Sequence, residues 1–272
     1  MYPFSFAGHR RLRARRQSSR LISDLVVRAG LIAICITAPG AIGSAFASSF
    51  AVNPTQIYLT SKSTSAILTL RNESDESLRF QLTVFAWDQS VQGEMKLQPT
   101  SDIVFFPTLL TLAPKESRNV RVGAGTAFDA VEKTYRIFVE ELPPQAPQAG
   151  QSAVRVLTKM GVPIFLQPTR TQAQAGLRDL MVKDGVFTFN VRNTGNVHVV
   201  PEAVRVYGVN RAGDVVLDKQ LDGWYILAGG VRAYEVKLPA PDCSALTAVS
   251  IDVRIAGSVL KERLETPSAC VP

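Results

Sequence analysis

The chain is predicted to be all-β, with two antiparallel sandwiches in tandem, on three observations. From Phe50 onward, short apolar or alternating runs are separated by turn residues roughly every eight to twelve positions, and no segment carries a helical period. Two signals recur in order: Leu70-Arg71-Asn72 returns as Val191-Arg192-Asn193, and Leu112-Ala113-Pro114-Lys115 returns as Leu227-Ala228-Gly229-Gly230. Their offsets, 121 and 115 residues, agree to within a loop insertion, as two copies of one fold would. Finally, 272 residues suffice for two domains with proper cores.

The N-terminus is a leader. Seven arginines (10, 11, 13, 15, 16, 20 and 28) against Asp24 put six of the seven net positive charges in the first 47 residues. The apolar run Ala29 to Ala38 and then Ala45-Phe46-Ala47 complete a secretory signal peptide, with cleavage expected after Ala47. Ten apolar residues ended by Pro39 and Gly40 are too few to span a bilayer, so no stable membrane insertion is expected. The arginine-rich lead leaves both general secretory and twin-arginine export open. Because the basic character belongs to targeting, a nucleic-acid partner is not expected.

The expected domains are a signal peptide over 1–47, a first sandwich over 48–168 and a second over 169–272. First-domain strands are expected over 50–59, 65–72, 78–89, 103–107, 108–113, 117–124 and 134–142. The last is Ser152 to Pro168, SAVRVLTKMGVPIFLQP, which reads as one long strand. Val154 and Val156 lie on one side of it, and Arg155, Leu157 and Lys159 on the other. A Pro, Gln and Gly loop (143–152) leads into it and Pro168 closes it, so one of its edges could stay unpaired. The alternative is an interior strand.

Catalytic chemistry is not expected. His198 is the single histidine after the leader and sits between Val197 and Val199 in a strand-like pattern, where a structural role is commoner than a relay or a zinc site. Cys35 falls in the leader; Cys243 and Cys270 are an even pair in an exported chain, read as a disulfide that stabilises by about 3 kcal/mol. Glu140 and Glu141 face opposite ways on a strand, and no glycine-rich phosphate loop opens a helix. Clustered His and Met for copper are lacking, and Trp87 and Trp224 read as core rather than as a sugar platform. No cofactor or metal is expected.

FFPTLLTLAPKESRNVRV, TYRIFVEELPP, the Pro/Gln loop and SAVRVLTKMGVPIFLQP, between a leader and a second sandwich, resemble the periplasmic fimbrial (pilus) chaperones of the chaperone–usher pathway, in a divergent branch. The resemblance implies two immunoglobulin-like β-sandwich domains in a boomerang arrangement, without enzymatic activity. It implies a periplasmic chaperone that completes pilus subunits by donor-strand complementation and delivers them to an outer-membrane usher. Self-association of the free protein is a further way to cover the donor strand. The alternative is a secreted two-domain immunoglobulin-like surface or pilus structural protein.

The same resemblance puts the groove-filling positions on Val154, Val156 and Thr158, with Met160 next in register. The basic pair that holds a subunit's terminal carboxylate maps onto Gln56 and Pro163, neither of which is charged, so Arg136, Lys159 and Arg155 are the replacement candidates. An interdomain charge cluster maps onto Glu132 and Asp252, with Gln167 where an arginine is expected.

Overall fold

The computed structural model describes residues 46–47, 49–144, 155–238 and 246–265. Most of the expected signal peptide (residues 1–45), Val154, Cys243 and Cys270 lie outside the described residues. Among those described, every regular element is a strand, and no helix is long and apolar enough to cross a membrane.

The first sandwich comprises β1 (Phe46–Ala47), β2 (Phe50–Asn53), β3 (Ile57–Leu59), β4 (Ser65–Asn72), β5 (Leu78–Gln89) and β6 (Met95–Pro99). It continues with β7 (Ile103–Phe106), β8 (Leu109–Leu112), β9 (Ser117–Ala124), β10 (Lys133–Leu142), β11 (Arg155–Val156) and β12 (Lys159–Leu166). One sheet has the order β2-β4-β9-β7 and the other β3-β12-β10-β5-β6, with β8 also on β5. The expected strand over 50–59 is two strands: Pro54, which has no N–H for a ladder, separates β2 in one sheet from β3 in the other. Period-two alternation drives the packing; along β5, Leu78, Phe80, Leu82 and Val84 all point into the core. Each such fully buried side chain contributes about 1.5–3 kcal/mol relative to exposure.

The second sandwich comprises β13 (Ala175–Lys183), β14 (Val186–Asn193), β15 (Pro201–Asn210), β16 (Val215–Leu221), β17 (Val231–Lys237), β18 (Leu246–Ile255) and β19 (Ser258–Glu265). Its sheets are β13-β14-β17 and β16-β15-β18-β19, closed over Phe187, Phe189, Val204, Val206, Ile251 and Val253.

The repeat has a physical basis in two buried asparagines. Asn72 donates its amide N–H groups to the carbonyls of Glu76, Leu112 and Ala113 and accepts the Ser74 N–H. Asn193 donates to the carbonyls of Val197, Ile226 and Leu227 and accepts the Gly195 N–H. These partners pair Leu112 with Ile226 and Ala113 with Leu227, one residue earlier than the match read from the sequence. The backbone agrees: Asn72 N–H bonds the Glu116 carbonyl as Asn193 N–H bonds that of Gly230.

The two sandwiches lie within one compact unit that begins at Phe46. A small core joins them, made by Trp87, Phe165 and Leu227 with Tyr225 packed on it. The turn after β5 adds to this contact: the Ala233 N–H donates to the Val91 carbonyl at 2.7 Å, and the Leu227 N–H to Gln89 Oε1 at 3.3 Å.

Candidate functional site

The segment read as one long strand is β11 and β12, separated at Leu157 and Thr158. β12 pairs with β10 throughout, from Lys133 opposite Leu166 to Glu140 opposite Lys159. On its other side it pairs with β3, in parallel, only over Ile164 to Leu166. The outer edge from Lys159 to Pro163 therefore has no strand partner among the described residues. Pro163 stands at the changeover, where its missing N–H is tolerated because the edge is open. β1 runs parallel to β11, with Phe46 opposite Arg155 and Ala47 opposite Val156.

The even positions of β12 face the first core: Val162, Ile164 and Leu166 are buried in it and Met160 is half-buried against it. Toward β11 that core ends. Thr158 is half-buried, tied to β10 by its carbonyl accepting the Glu141 N–H at 2.9 Å, and Val156 is 57% exposed. Of the four positions expected to fill a groove, Val156 is a free β-branched side chain, Met160 is partly engaged with its own domain, and Val154 is outside the described residues.

On the odd face, Pro163 lies directly opposite Arg136 of β10. Opposed residues of an antiparallel pair share a face with Cβ atoms about 4.5–5.5 Å apart. A cation on Arg136 thus occupies nearly the place that one at position 163 would. The Arg136 side chain is buried, only 7% of the residue being exposed, and its guanidinium carbon lies 4.1 Å from the Trp87 ring centroid and 5.7 Å from that of Trp224. Its Nε has no hydrogen-bond partner, and no carboxylate pairs with it among the described residues. Burial pulls its pKa below the ordinary value, with nearby Tyr225 acting the other way.

The other basic candidates differ. Lys159 is exposed, paired with Glu140 at 2.8 Å, its Nζ 5.1 Å from the Phe138 ring centroid. Arg155 contributes backbone to β11. Gln56, the first uncharged family position, donates to the Tyr225 hydroxyl and accepts from Tyr58 at 2.8 Å, which ties β3 to the second sandwich.

Glu132 is buried between the sandwiches. Its Oε1 accepts the His198 backbone N–H at 2.9 Å and lies 2.7 Å from His198 Nδ1, while the Glu132 N–H donates to the Asn196 carbonyl at 2.9 Å. The His198 ring stacks on Phe165 at 3.8 Å. Asp252 is not brought to this contact: it lies in β18, with Lys261 at 3.5 Å on the neighbouring strand. The partner of Glu132 is a histidine outside any strand, not an acid and arginine pair.

Sequence reasoning missed the places of Trp224 and Tyr225, and gave His198 a structural role without its interdomain position. Trp224, read as core, is 40% exposed in the turn after β16, and Tyr225 and His198 carry the interdomain packing. Asp222-Gly223, turn residues that take Trp224 out of a strand, were the available signal. Among the described residues no three His, Cys, Asp or Glu side chains gather as a metal site needs. What the geometry offers is an open strand edge, an exposed Val156 beyond the core, and a buried cation without a counter-ion between two tryptophans.

Residues 49–172 match the family model described as pili and flagellar-assembly chaperone, PapD N-terminal domain. The fold is similar to that of the class 5 fimbriae chaperone CfaA, at 15% identity and a TM-score of 0.53, covering 80% of this chain and 100% of that one. It is similar to a chain of the CsuC–CsuE chaperone–tip adhesion subunit pre-assembly complex from archaic Csu pili of Acinetobacter baumannii, at 14% identity and a TM-score of 0.52, covering 80% and 97%. It also resembles the E. coli chaperone DraB, at 18% identity and a TM-score of 0.51, covering 82% and 98%. No curated protein matches in sequence. The region over residues 49–172 thus matches the N-terminal domain of the pilus-assembly chaperones, and the two immunoglobulin-like sandwiches share the fold of the solved fimbrial chaperones.

Proposed function

We propose that this chaperone captures pilus subunits in the periplasm by lending them the open edge of β11 and β12, and hands the complex to an outer-membrane usher. The observation that carries the reading is the edge from Lys159 to Pro163, which lacks a strand partner among the described residues, with Val156 exposed just before it. Backbone hydrogen bonds along such an edge give sequence-tolerant affinity, and alternate side chains fill a partner's groove. A similar structure is of a chaperone in complex with a tip adhesion subunit, which supports subunits as the partner.

Arg136 is the anchor in this reading: a buried guanidinium without a counter-ion suits a terminal carboxylate, which would set the register of the added strand. Lys159, exposed and paired with Glu140, is the second candidate. Glu132 with His198, rather than with Asp252, fixes the domains around the cleft. Export by residues 1–47 removes β1 from β11, and the Cys243–Cys270 bridge staples the second domain. No step needs a catalytic group or a nucleotide, since subunit release follows from exchange for a better-fitting strand.

Val156→Asp tests this. Co-expressed with its subunit, the native chaperone should yield a one-to-one complex, and the variant none, because a carboxylate buried unpaired in the groove costs several kcal/mol. Subunit capture undiminished in the folded variant overturns the assignment of the donor face.

A further inference from the structure

Trp224 has a rigid seat and an exposed ring. It packs edge-to-face on Tyr225 at 5.5 Å, and Tyr225 in turn packs on Trp87 and Phe165. A Cβ at Gly223 would stand 1.8 Å from the Pro201 carbonyl oxygen, so the turn lies directly on that backbone. The bridge between Val199 and Ile226 closes the turn from the other end. The tryptophan nevertheless remains 40% exposed.

The ring completes a slot. Trp87 from the first sandwich and Trp224 from the second cover the Arg136 guanidinium, 4.1 Å and 5.7 Å from its carbon. A guanidinium held through its faces keeps its in-plane N–H edge for a ligand, the geometry of bidentate carboxylate recognition. The approach to that edge runs past Gly161. A Cβ there would stand 2.9 Å from the Phe138 ring and 3.6 Å from Arg136 Nη1, so the bare backbone keeps the way open.

We propose that this slot reads the last residue of the captured strand: Arg136 takes the terminal carboxylate, and the exposed face of Trp224 takes the terminal side chain, preferring an aromatic one. This deepens the anchor reading above and rests on it. Aromatic pairs add about 0.5–1.5 kcal/mol beyond their buried area, so an aromatic terminus should bind about two- to tenfold more tightly than alanine. Lysine at that position, brought next to the Arg136 charge, should bind more weakly than alanine.

Short acetylated peptides of alternating Val and Thr, ending in Phe, Ala or Lys, each as free acid and as amide, are the probes. Trp87 and Trp224 are the two tryptophans of the chain, so intrinsic fluorescence reports on the slot directly. In the native protein the free acids should bind more tightly than the amides and Phe more tightly than Ala. Trp224→Ala, read through Trp87, should erase the Phe preference and keep the acid preference; Trp224→Phe should keep both. Acids favoured over amides with Phe equal to Ala overturns the side-chain seat and leaves the anchor standing, as does a Phe preference that survives Trp224→Ala. Acids and amides binding alike, or no peptide binding, overturns the anchor and the seat together.

Discussion

Asn193→Ala should unfold the second sandwich more easily and loosen the cleft with it. The Asn193 side chain is fully buried, and its two amide protons are shared among the carbonyls of Val197, Ile226 and Leu227 while Oδ1 accepts the Gly195 N–H. Counting two donated bonds and one accepted bond at about 1 kcal/mol each, the loss is about 3 kcal/mol. With an m-value of about 2–3 kcal/mol/M, the urea midpoint of this domain should fall by about 1–1.5 M. Hydrogen exchange read by mass spectrometry should localise the change to β14 and the 222–230 turn, with the first sandwich unaffected. Because Ile226 and Leu227 follow Trp224 and Tyr225 directly, the variant should also weaken subunit capture. Asn193→Asp should be worse than alanine, since it sets a carboxylate against three carbonyl oxygens. A midpoint shift under about 0.3 M for alanine, or an aspartate milder than alanine, would refute Asn193 as the residue that holds this turn.

Further outcomes follow from the same contacts. Glu132→Gln and His198→Ala should each raise hydrogen exchange at residues 130–133 and 196–198, and a double-mutant cycle should return a coupling of about 1 kcal/mol or more; additive effects would mean that the 2.7 Å contact does not join the domains. Glu116 accepts the Ala113 N–H at 2.8 Å, chiefly, and the Arg118 Nε–H at 2.6 Å, which holds its pKa below the usual glutamate value. A carboxylate more acidic folded than unfolded stabilises above its unfolded pKa and loses that contribution as pH falls through its lowered folded range. Glu116→Gln should therefore flatten the acid limb of the stability curve below about pH 4.5, and an unchanged limb argues against the link.

Strands with one face in a core and the other in water were legible from their alternation alone: β4, β5 and β9 span the residues expected of them. β6 was not: Met95 and Leu97 alternate with Lys96 and Gln98 over only five residues, all five are exposed, and the strand is held by pairing with β5. The repeat could be read from Asn72 and Asn193, but the one-residue correction needed the carbonyls those amides meet. The open edge of β12 was expected from its flanking loop and prolines, whereas the break at Leu157 and Thr158 was not.

The amino-acid order by itself determined the fold class and the duplication, because periodicity and turn chemistry are local, and the resemblance of its motifs pointed to the family and to the proposed lending strand. The proposed anchor was beyond its reach. Gln56 and Pro163 carry no charge, and three cations were equal candidates along the chain. Only the tertiary structure separates Arg136 from Lys159, by setting Arg136 across the ladder from Pro163, under tryptophans from both sandwiches, and Lys159 beside Glu140 in solvent. Burial and the absence of a counter-ion arise when distant segments meet, and residues 87, 136 and 224 meet only in the folded chain.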